Sequence, residues 1–326
     1  MLIEMLDKFK TIYILFTVLF LITISIMGPY VTASPYEKPI IVCTTEVIGS
    51  IVRELVEDKA IVVVLVNPSL CPAFYDIKPG DVYSVNNAKL LFYHGIAGEM
   101  WLPSLIKTSE TKAIQIKVSG DWNTPDGVKR YVINISKSIK DVLGIDVSDK
   151  ASKIIKDLDN LASEIKEEAK ALNVGAIKVV CMEWQLPFIK YLGFNVVASY
   201  GIPDRVPASE VVKIVAKAKE EGVALVIDNL QSGIDLGARI AYDVGATHVV
   251  LTNFPGAISG TENLVKMLRY NFAQLAKGIS EHGKLQSLRS EVGALKNQVL
   301  IFQAISIILT IIVIVEGIIL YTKRKR

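Results

Sequence analysis

Cysteine and histidine are scarce in this sequence. Its 326 residues include three of each. The cysteines form no CxxC pair, so one disulfide could form outside the cell but a disulfide framework is excluded. Three histidines are too few for a three-histidine metal centre, because one of them lies in a polar segment far from the others. The residues concerned are Cys43, Cys71, Cys181, His94, His248 and His282.

Catalytic motifs are also missing. The chain has no nucleophile elbow, no phosphate-binding loop and no triad-like set. Asp76, Glu183 and Asp228 could be imagined as an acid–base set, but no nucleophile accompanies them. We therefore expect no enzyme. The formal net charge is +3 and much of the excess lies at the chain ends, which leaves no basic patch for nucleic acid.

Charge is absent from a long segment near the N-terminus. Residues 11–36 are uncharged, follow Lys8 and Lys10, and contain an apolar run that breaks at Gly28. A basic start, an apolar middle and a small-residue exit are typical of a secretory signal. We predict that residues 1–33 are a signal peptide cleaved near Ala33, or an uncleaved N-terminal anchor.

A second apolar segment covers residues 299–321, and Glu316 is its one charge. It is long enough to cross a bilayer, and the basic residues 322–326 follow it directly. Basic residues beside a span favour the cytoplasmic side. The sequence thus predicts a membrane protein with a short cytoplasmic tail and with its middle part extracytoplasmic.

Between these segments, short β-branched runs alternate with amphipathic helical patterns. Such a rhythm indicates parallel sheets covered on both faces. The predicted fold class is α/β, with two similar lobes, residues 38–146 and 174–278, each a mostly parallel sheet flanked by helices. Strands are expected at 40–44, 61–66, 90–93, 113–118, 177–181, 195–199, 224–228 and 248–251.

One long helix is expected to join the lobes. Residues 147–173 contain no proline or glycine and repeat apolar residues at helical spacing, and Ser148 is the expected N-cap. Such a strut would restrict the lobes to small tilts. Residues 279–298 predict a helical stalk between lobe and membrane, and whether it pairs with itself stays open.

Several motifs carry a family resemblance. Residues 42–49 (VCTTEVIG) resemble the first strand and following helix of the zinc- and manganese-type periplasmic solute-binding proteins of ABC transporters (cluster A-I). Residues 72–81 (PAFYDIKPGD) resemble that family's Pro-His-x-Tyr-Glu-x-x-Pro-Ser-Asp loop. Residues 91–102 are similar to its next strand and helix, and residues 270–276 (YNFAQLA) to its closing helix. The resemblance implies two lobes with a metal ion bound between them.

The sequence departs from this family at its metal ligands. Ala73 stands where the family's loop has histidine, which makes the chain an atypical member. The other family ligands are two further histidines and an aspartate, and this chain keeps none of them. Their expected positions are 123–126, Met182 or Glu183, and Thr252 or Asn253.

Ligands of such folds bind beyond the carboxyl ends of the strands. The candidate ligand-binding residues are therefore Cys71, Phe74, Tyr75, Asp76, His94, Glu183, Trp184, Gln185, Asp228, Asn229, Gln231 and Asn253. One hypothesis is a divalent or soft metal ion as cargo, with Cys71 and Glu183 as donors. The other is a small organic or anionic solute, held by aromatic faces and amides, with Ser232 an ordinary helix N-cap beside it. No resident cofactor is expected.

The predicted function is an extracytoplasmic, membrane-anchored solute-binding protein of an ABC importer. Its partners would be an ABC permease with its ATPase, the membrane through the C-terminal helix, and a metal ion, a metal-containing ligand or another small solute. The alternative is a ligand-sensing ectodomain without a transport role. A neighbouring permease and ATPase would favour transport, and a neighbouring kinase would favour sensing.

Overall fold

The structure is a computed structural model that describes residues 2–26 and 38–324. The chain divides into two units, the first ending at Lys38 and the second beginning at Pro39. The first unit contains one helix, α1 (Leu2–Ile26), whose apolar side chains such as Phe9, Phe16 and Phe20 are exposed. The signal cleavage predicted near Ala33 lies outside the described residues.

The first lobe is built on a parallel sheet. Its elements are β1 (Ile40–Cys43), α2 (Glu46–Val56), β2 (Ile61–Val64), α3 (Pro79–Asn86), β3 (Ala88–Tyr93), α4 (Leu102–Ser109), β4 (Ile114–Lys117) and α5 (Pro125–Leu143). The strand order is β2-β1-β3-β4, with Val42 opposite both Val63 and Leu91. The central strands are buried and rich in valine, isoleucine and leucine, because helices cover both faces of the sheet.

The second lobe repeats this plan. Its elements are β5 (Lys178–Met182), α7 (Leu186–Leu192), β6 (Asn195–Tyr200), α8 (Ala208–Glu221), β7 (Leu225–Asn229), α9 (Asp235–Val244) and β8 (Thr247–Leu251). The strand order is β6-β5-β7-β8, and all pairs are parallel. The prediction of two parallel sheets flanked by helices is therefore confirmed.

Each sheet has one place where the strand order reverses. The chain leaves β1 toward β2 on one side and returns to β3 on the other, and β5 and β7 are related in the same way. Open parallel sheets bind ligands in the crevice at such reversals. We call the residues that follow β1 and β3 the first switch point, and those at the ends of β5 and β7 the second switch point.

A helix, α6 (Ser148–Ala171), joins the lobes along most of the predicted segment. Its buried residues Leu158 and Leu161 belong to a hydrophobic core that contains Phe92 of the first sheet and Leu251 of the second. The lobes therefore share one core. The prediction that Ser148 is the N-cap is wrong, because Val147 occupies that position. The carboxylate of Asp146 accepts hydrogen bonds from the backbone N–H and hydroxyl of Ser148, at 3.0 and 2.6 Å.

The last helix is continuous from the second lobe to the end of the described chain. This helix, α10 (Leu264–Arg324), has 61 residues and is about 90 Å long at 1.5 Å per residue. At Gly278 it lies so close to β8 that a Cβ atom would be 2.4 Å from Val249. Among the described residues, α10 is the one helix whose length and composition suit a membrane span. Its most apolar window has a mean hydropathy of 2.7 and is not buried.

Candidate ligand site between the lobes

The first switch point is a closed hydrogen-bond network around His94. The imidazole Nε2 lies 2.6 Å from the Thr45 hydroxyl, and Nδ1 lies 2.8 Å from the Tyr131 hydroxyl. The ring packs against Trp122 at 4.7 Å between centroids. His94 is 1% exposed, and this burial lowers the pKa of its imidazole to about 3. At neutral pH the ring is therefore uncharged, and both of its nitrogens are hydrogen-bonded.

Glu99 completes this network from the loop after β3. Its buried carboxyl group accepts hydrogen bonds from the Thr44 hydroxyl and from the backbone N–H groups of His94 and Gly95. The Gly95 bond is 2.6 Å long, and the positive φ of 71° at this glycine allows the turn. Because its nitrogens and neighbours are satisfied within one lobe, His94 holds structure here and offers no free donor to a ligand.

The second switch point contains buried carboxamides instead. Gln185 and Asn229 are 0% exposed, and Asn253, just beyond β8, is 1% exposed. The Asn229 side-chain oxygen accepts hydrogen bonds from the Gln231 N–H and the Ser232 hydroxyl, at 3.0 and 3.1 Å. Ser232 is therefore not the N-cap of α9, a position that Ile234 occupies.

Four side-chain atoms of these carboxamides are buried and have no hydrogen-bond partner in residues 2–26 and 38–324. They are both polar atoms of Gln185, Nδ2 of Asn229 and Oδ1 of Asn253. A buried polar group that lacks a partner costs about 1–3 kcal/mol, and native proteins rarely leave one so. The arrangement thus calls for water or a ligand with both hydrogen-bond donors and acceptors at this place.

The two lobes meet directly beside these carboxamides. Among the described residues, the hydrogen bonds between the lobes include three at this place. Trp122 Nε1 donates to the Asn253 carbonyl at 3.1 Å, and Asn123 Nδ2 donates to the Trp184 carbonyl at 2.7 Å. Gln231 Nε2 donates to the Pro68 carbonyl at 3.0 Å. The set of candidate residues predicted from the sequence does not include Trp122 and Asn123. Their position in the loop after β4 could have indicated them, because ligands bind beyond the ends of the strands.

Two pockets lie between the lobes, and both contact the half-buried ring of Trp184. The central pocket has a volume of about 150 Å³ and is lined by Gly120, Asp121, Trp122, Asn123, Trp184, Pro187 and Asn253. The side pocket has a volume of about 250 Å³ and is lined by Ala73, Tyr75, Ala97, Gly98, Met100, Trp101, Trp184, Ile202 and Arg205. The structure therefore brings together Tyr75, Trp184 and Asn253 of the predicted set.

Other predicted residues lie at the edge of this region. Phe74 is 50% exposed, and Asp76 is exposed. The Tyr75 hydroxyl donates to the Asp81 carboxylate at 2.6 Å, and its ring packs on Trp101. Cys71 is buried, and desolvation raises the pKa of its thiol, which disfavours the thiolate that metals bind.

Asp228 lies outside the candidate site. Its buried carboxylate accepts a hydrogen bond from the Tyr200 hydroxyl and lies 2.8 Å from Nε2 of His248. Gly237 allows α9 to lie close to the Asp228 side chain, because a Cβ atom at this position would be 2.1 Å from the carboxylate. Neighbouring strand residues face opposite sides of a sheet, so Asp228 and Asn229 cannot share one face.

A metal centre depends on the distances between the possible metal-donor side chains. In residues 2–26 and 38–324, no three His, Cys, Asp or Glu side chains gather closely enough to hold a metal ion. Cys71 is buried whereas Glu183 is exposed. Their role as metal donors stays a prediction that lacks a third donor.

Two parallel-sheet lobes on a shared helical core, with pockets between them, define a two-lobed binding protein. The family model described as zinc-uptake complex component A, periplasmic, matches residues 41–278. The chain belongs to this family, which confirms the resemblance noted in the sequence. No curated protein matches the chain.

Solved structures show the same fold. The Mn-bound periplasmic metal-binding protein from Candidatus Liberibacter asiaticus is 15% identical, with a TM-score of 0.66. That match covers 74% of this chain and 100% of the other. The periplasmic zinc-binding protein TroA from Treponema pallidum is 16% identical, with a TM-score of 0.66 over 74% of this chain and 99% of its own. At this identity the likeness concerns the fold alone.

Proposed function

We propose that this protein is the membrane-anchored, extracytoplasmic binding subunit of an ABC importer. Family membership over residues 41–278 supports a role in solute capture. The apolar end of α10, followed by basic residues, supports anchoring with the lobes outside the cell. The cargo would bind between the lobes, where loops of both lobes line the two pockets.

The cargo we propose is a polar organic solute, free or carrying a chelated metal. The observation that carries this proposal is the set of unpartnered, buried carboxamide atoms on Gln185, Asn229 and Asn253. Carboxamides donate and accept hydrogen bonds without carrying charge, so they suit a neutral ligand that does both. The indole of Trp184 offers a flat apolar surface to the same ligand.

Release of the cargo would require small displacements only. The lobes share a core along α6, which opposes a wide hinge motion. The three hydrogen bonds that cross between the lobes can break one by one as a permease binds. A permease that prefers the separated state would draw the cargo out by differential affinity.

A bare metal ion is the second candidate, and the family description favours it. Cys71 and Glu183 are the donors predicted for that case. The polarity of the carboxamide site argues for the organic solute, because uncharged amides are weaker ligands for zinc than thiolate, imidazole or carboxylate groups.

The test is native mass spectrometry with elemental analysis of the full chain, purified in detergent from its own membranes. We expect a co-purifying organic mass that Gln185→Leu removes and Cys71→Ser retains. Stoichiometric metal without an organic mass, lost in Cys71→Ser and Glu183→Gln, would overturn the proposed cargo and support the metal ion.

The importer role has a separate test. Affinity purification of the tagged full chain after mild cross-linking should recover an ABC permease and its ATPase. Recovery of a kinase in their place would support the sensing role. An untagged chain and a chain tagged but truncated after residue 278 serve as controls for background and for the membrane contribution.

A further inference from the structure

One face of α10 is apolar where the helix is in water. Beyond the second lobe, Leu288, Val292, Leu295 and Val299 follow one another at spacings of four, three and four residues, and each is at least 50% exposed. Such a row is typical of a coiled-coil seam. The outer positions of this stalk are polar, as at Ser290 and Asn297. An apolar row that is exposed in the single chain indicates a surface that another molecule covers.

The same face changes its chemistry on entering the apolar segment. Gln303, Ser306, Thr310 and Gly317 continue the row, among residues that are otherwise mostly isoleucine, leucine and valine. At about 100° per residue, the positions from Leu288 to Gly317 lie within about 80° of one another. Small and polar residues mark helix contacts in lipid, as apolar residues do in water. The Gln303 side chain is exposed on this face of the helix.

We propose that this face pairs with the same face of a second copy of the chain, in parallel, from the stalk into the membrane. Anchoring gives all copies one orientation, so identical rows meet in register. Glu291 and Lys296 flank the apolar row on opposite sides, five residues apart. In a parallel pair, Glu291 meets Lys296 of the partner subunit, and two-fold symmetry repeats the contact.

One pair of residues at the same spacing carries like charges, which would repel each other across the seam. Lys284 and Arg289 would also face each other across the seam at the top of the stalk. However, the Arg289 guanidinium donates to the Gly245 carbonyl of its own second lobe at 2.9 Å. This bond turns Arg289 away from the seam and fixes the stalk against the lobe. The pairing face thus begins at Leu288, where the stalk leaves the lobe.

The experiment is oxidative cross-linking of single-cysteine positions in the full chain, expressed in a host without its permease. The natural cysteines are buried, so they do not interfere. Leu295→Cys lies on the proposed face, and Ser290→Cys lies on the opposite side of the same exposed stalk. We expect disulfide-linked dimers for Leu295→Cys at a yield about tenfold above that for Ser290→Cys. Equal yields at the two positions would overturn the proposal.

A charge exchange tests the partner contact independently. Glu291→Lys should lower the dimer yield of Leu295→Cys by about twofold or more, and Lys296→Glu in the same chain should restore it. No loss in the single variant, or no recovery in the double variant, contradicts the parallel register. If Leu295→Cys cross-links in native membranes to a different chain and never to itself, the face belongs to another protein and the proposal is wrong. The yields of the single-cysteine and charge variants are measured in the host that lacks the permease, so they do not depend on the proposed importer role.

Discussion

The two switch points of this protein have the same place in the same sheet topology but opposite states of hydrogen bonding. In the first lobe, the Thr44 hydroxyl and the His94 backbone N–H donate to the Glu99 carboxyl group, and the Thr45 hydroxyl is hydrogen-bonded to the His94 ring. In the second lobe, Gln185 and Asn229 keep buried polar atoms without partners. Position at a strand end is therefore not enough to define a binding residue. The second switch point differs because its unpartnered polar atoms are free to bond to a ligand.

The difference has a chemical cause. The first switch point contains a carboxyl group, and one carboxyl can accept several hydrogen bonds at once, as Glu99 does. The second contains carboxamides, which need donors and acceptors in a fixed arrangement. Gln231 finds both, from Pro68, Thr252 and Asn253, whereas neither polar atom of Gln185 has a partner in the described part of the chain. A ligand that enters between the lobes could supply both to Gln185.

The largest expected effect is the loss of the first network. Glu99→Ala removes the acceptor of the Thr44 hydroxyl and of two backbone N–H groups. We expect the free energy of unfolding to fall by about 3 kcal/mol, measured by chemical denaturation. Glu99→Gln keeps one acceptor oxygen and should cost less. Equal stability of Glu99→Ala and the natural chain would show that this network is dispensable.

The next effect is the pH dependence that His94 of the first lobe contributes. Burial holds the His94 pKa near 3, whereas an unfolded histidine has a pKa near 6.5. The unfolded chain therefore binds the extra proton between these values, and stability falls as the pH decreases below 6.5. The slope attributable to one group is at most about 1.4 kcal/mol per pH unit.

The control for this dependence is His94→Gln, which removes the titrating group. Its unfolding midpoints, recorded from pH 7 to about pH 4, should lose this component of the slope. The carboxamides of the second switch point do not titrate in this range. An unchanged slope in His94→Gln would assign the pH dependence to other groups.

Gln185→Leu tests the same comparison at the second switch point. It replaces an unpartnered buried carboxamide by an apolar side chain of similar size. We expect unfolding to become harder by up to about 1 kcal/mol, while cargo occupancy falls at least about tenfold. A matched change in the first network, Thr45→Val, should destabilise the protein without removing the cargo. Loss of stability in Gln185→Leu would mean that its carboxamide already has a structural role.

The smallest effect is expected at Glu183, which is exposed. Glu183→Gln should change the free energy of unfolding by less than about 0.5 kcal/mol, as surface substitutions do. It should leave the organic cargo in place. A loss of bound metal in the same variant, measured by elemental analysis, would instead assign Glu183 to a metal site.

Local patterns predicted much of the fold. The β-branched runs predicted β1 and β7 within a residue or two of their observed ends. In contrast, no helix was predicted for α5, although Thr124 caps it through the Gly127 N–H and Gly144 ends it. The Ser148 cap was misassigned because Asp146, two residues earlier, offers a competing carboxylate.

Less of the site could be predicted. The strand-end rule pointed to Gln185, Asn229 and Asn253, whose role in binding stays a prediction. It could not separate them from His94 and Asp228, because both of those find their partners on other elements. Tyr131 of α5 and Tyr200 of β6 lie far away in the chain.

By itself, the sequence determined the alternation of strands and helices and the apolar character of the segments near both ends, because these follow from residue type and spacing. Only the tertiary structure decided which polar groups are satisfied. Hydrogen bonding at a buried site depends on what distant elements bring to it, as Glu99 and Tyr131 do for His94 and as nothing in the described chain does for Gln185.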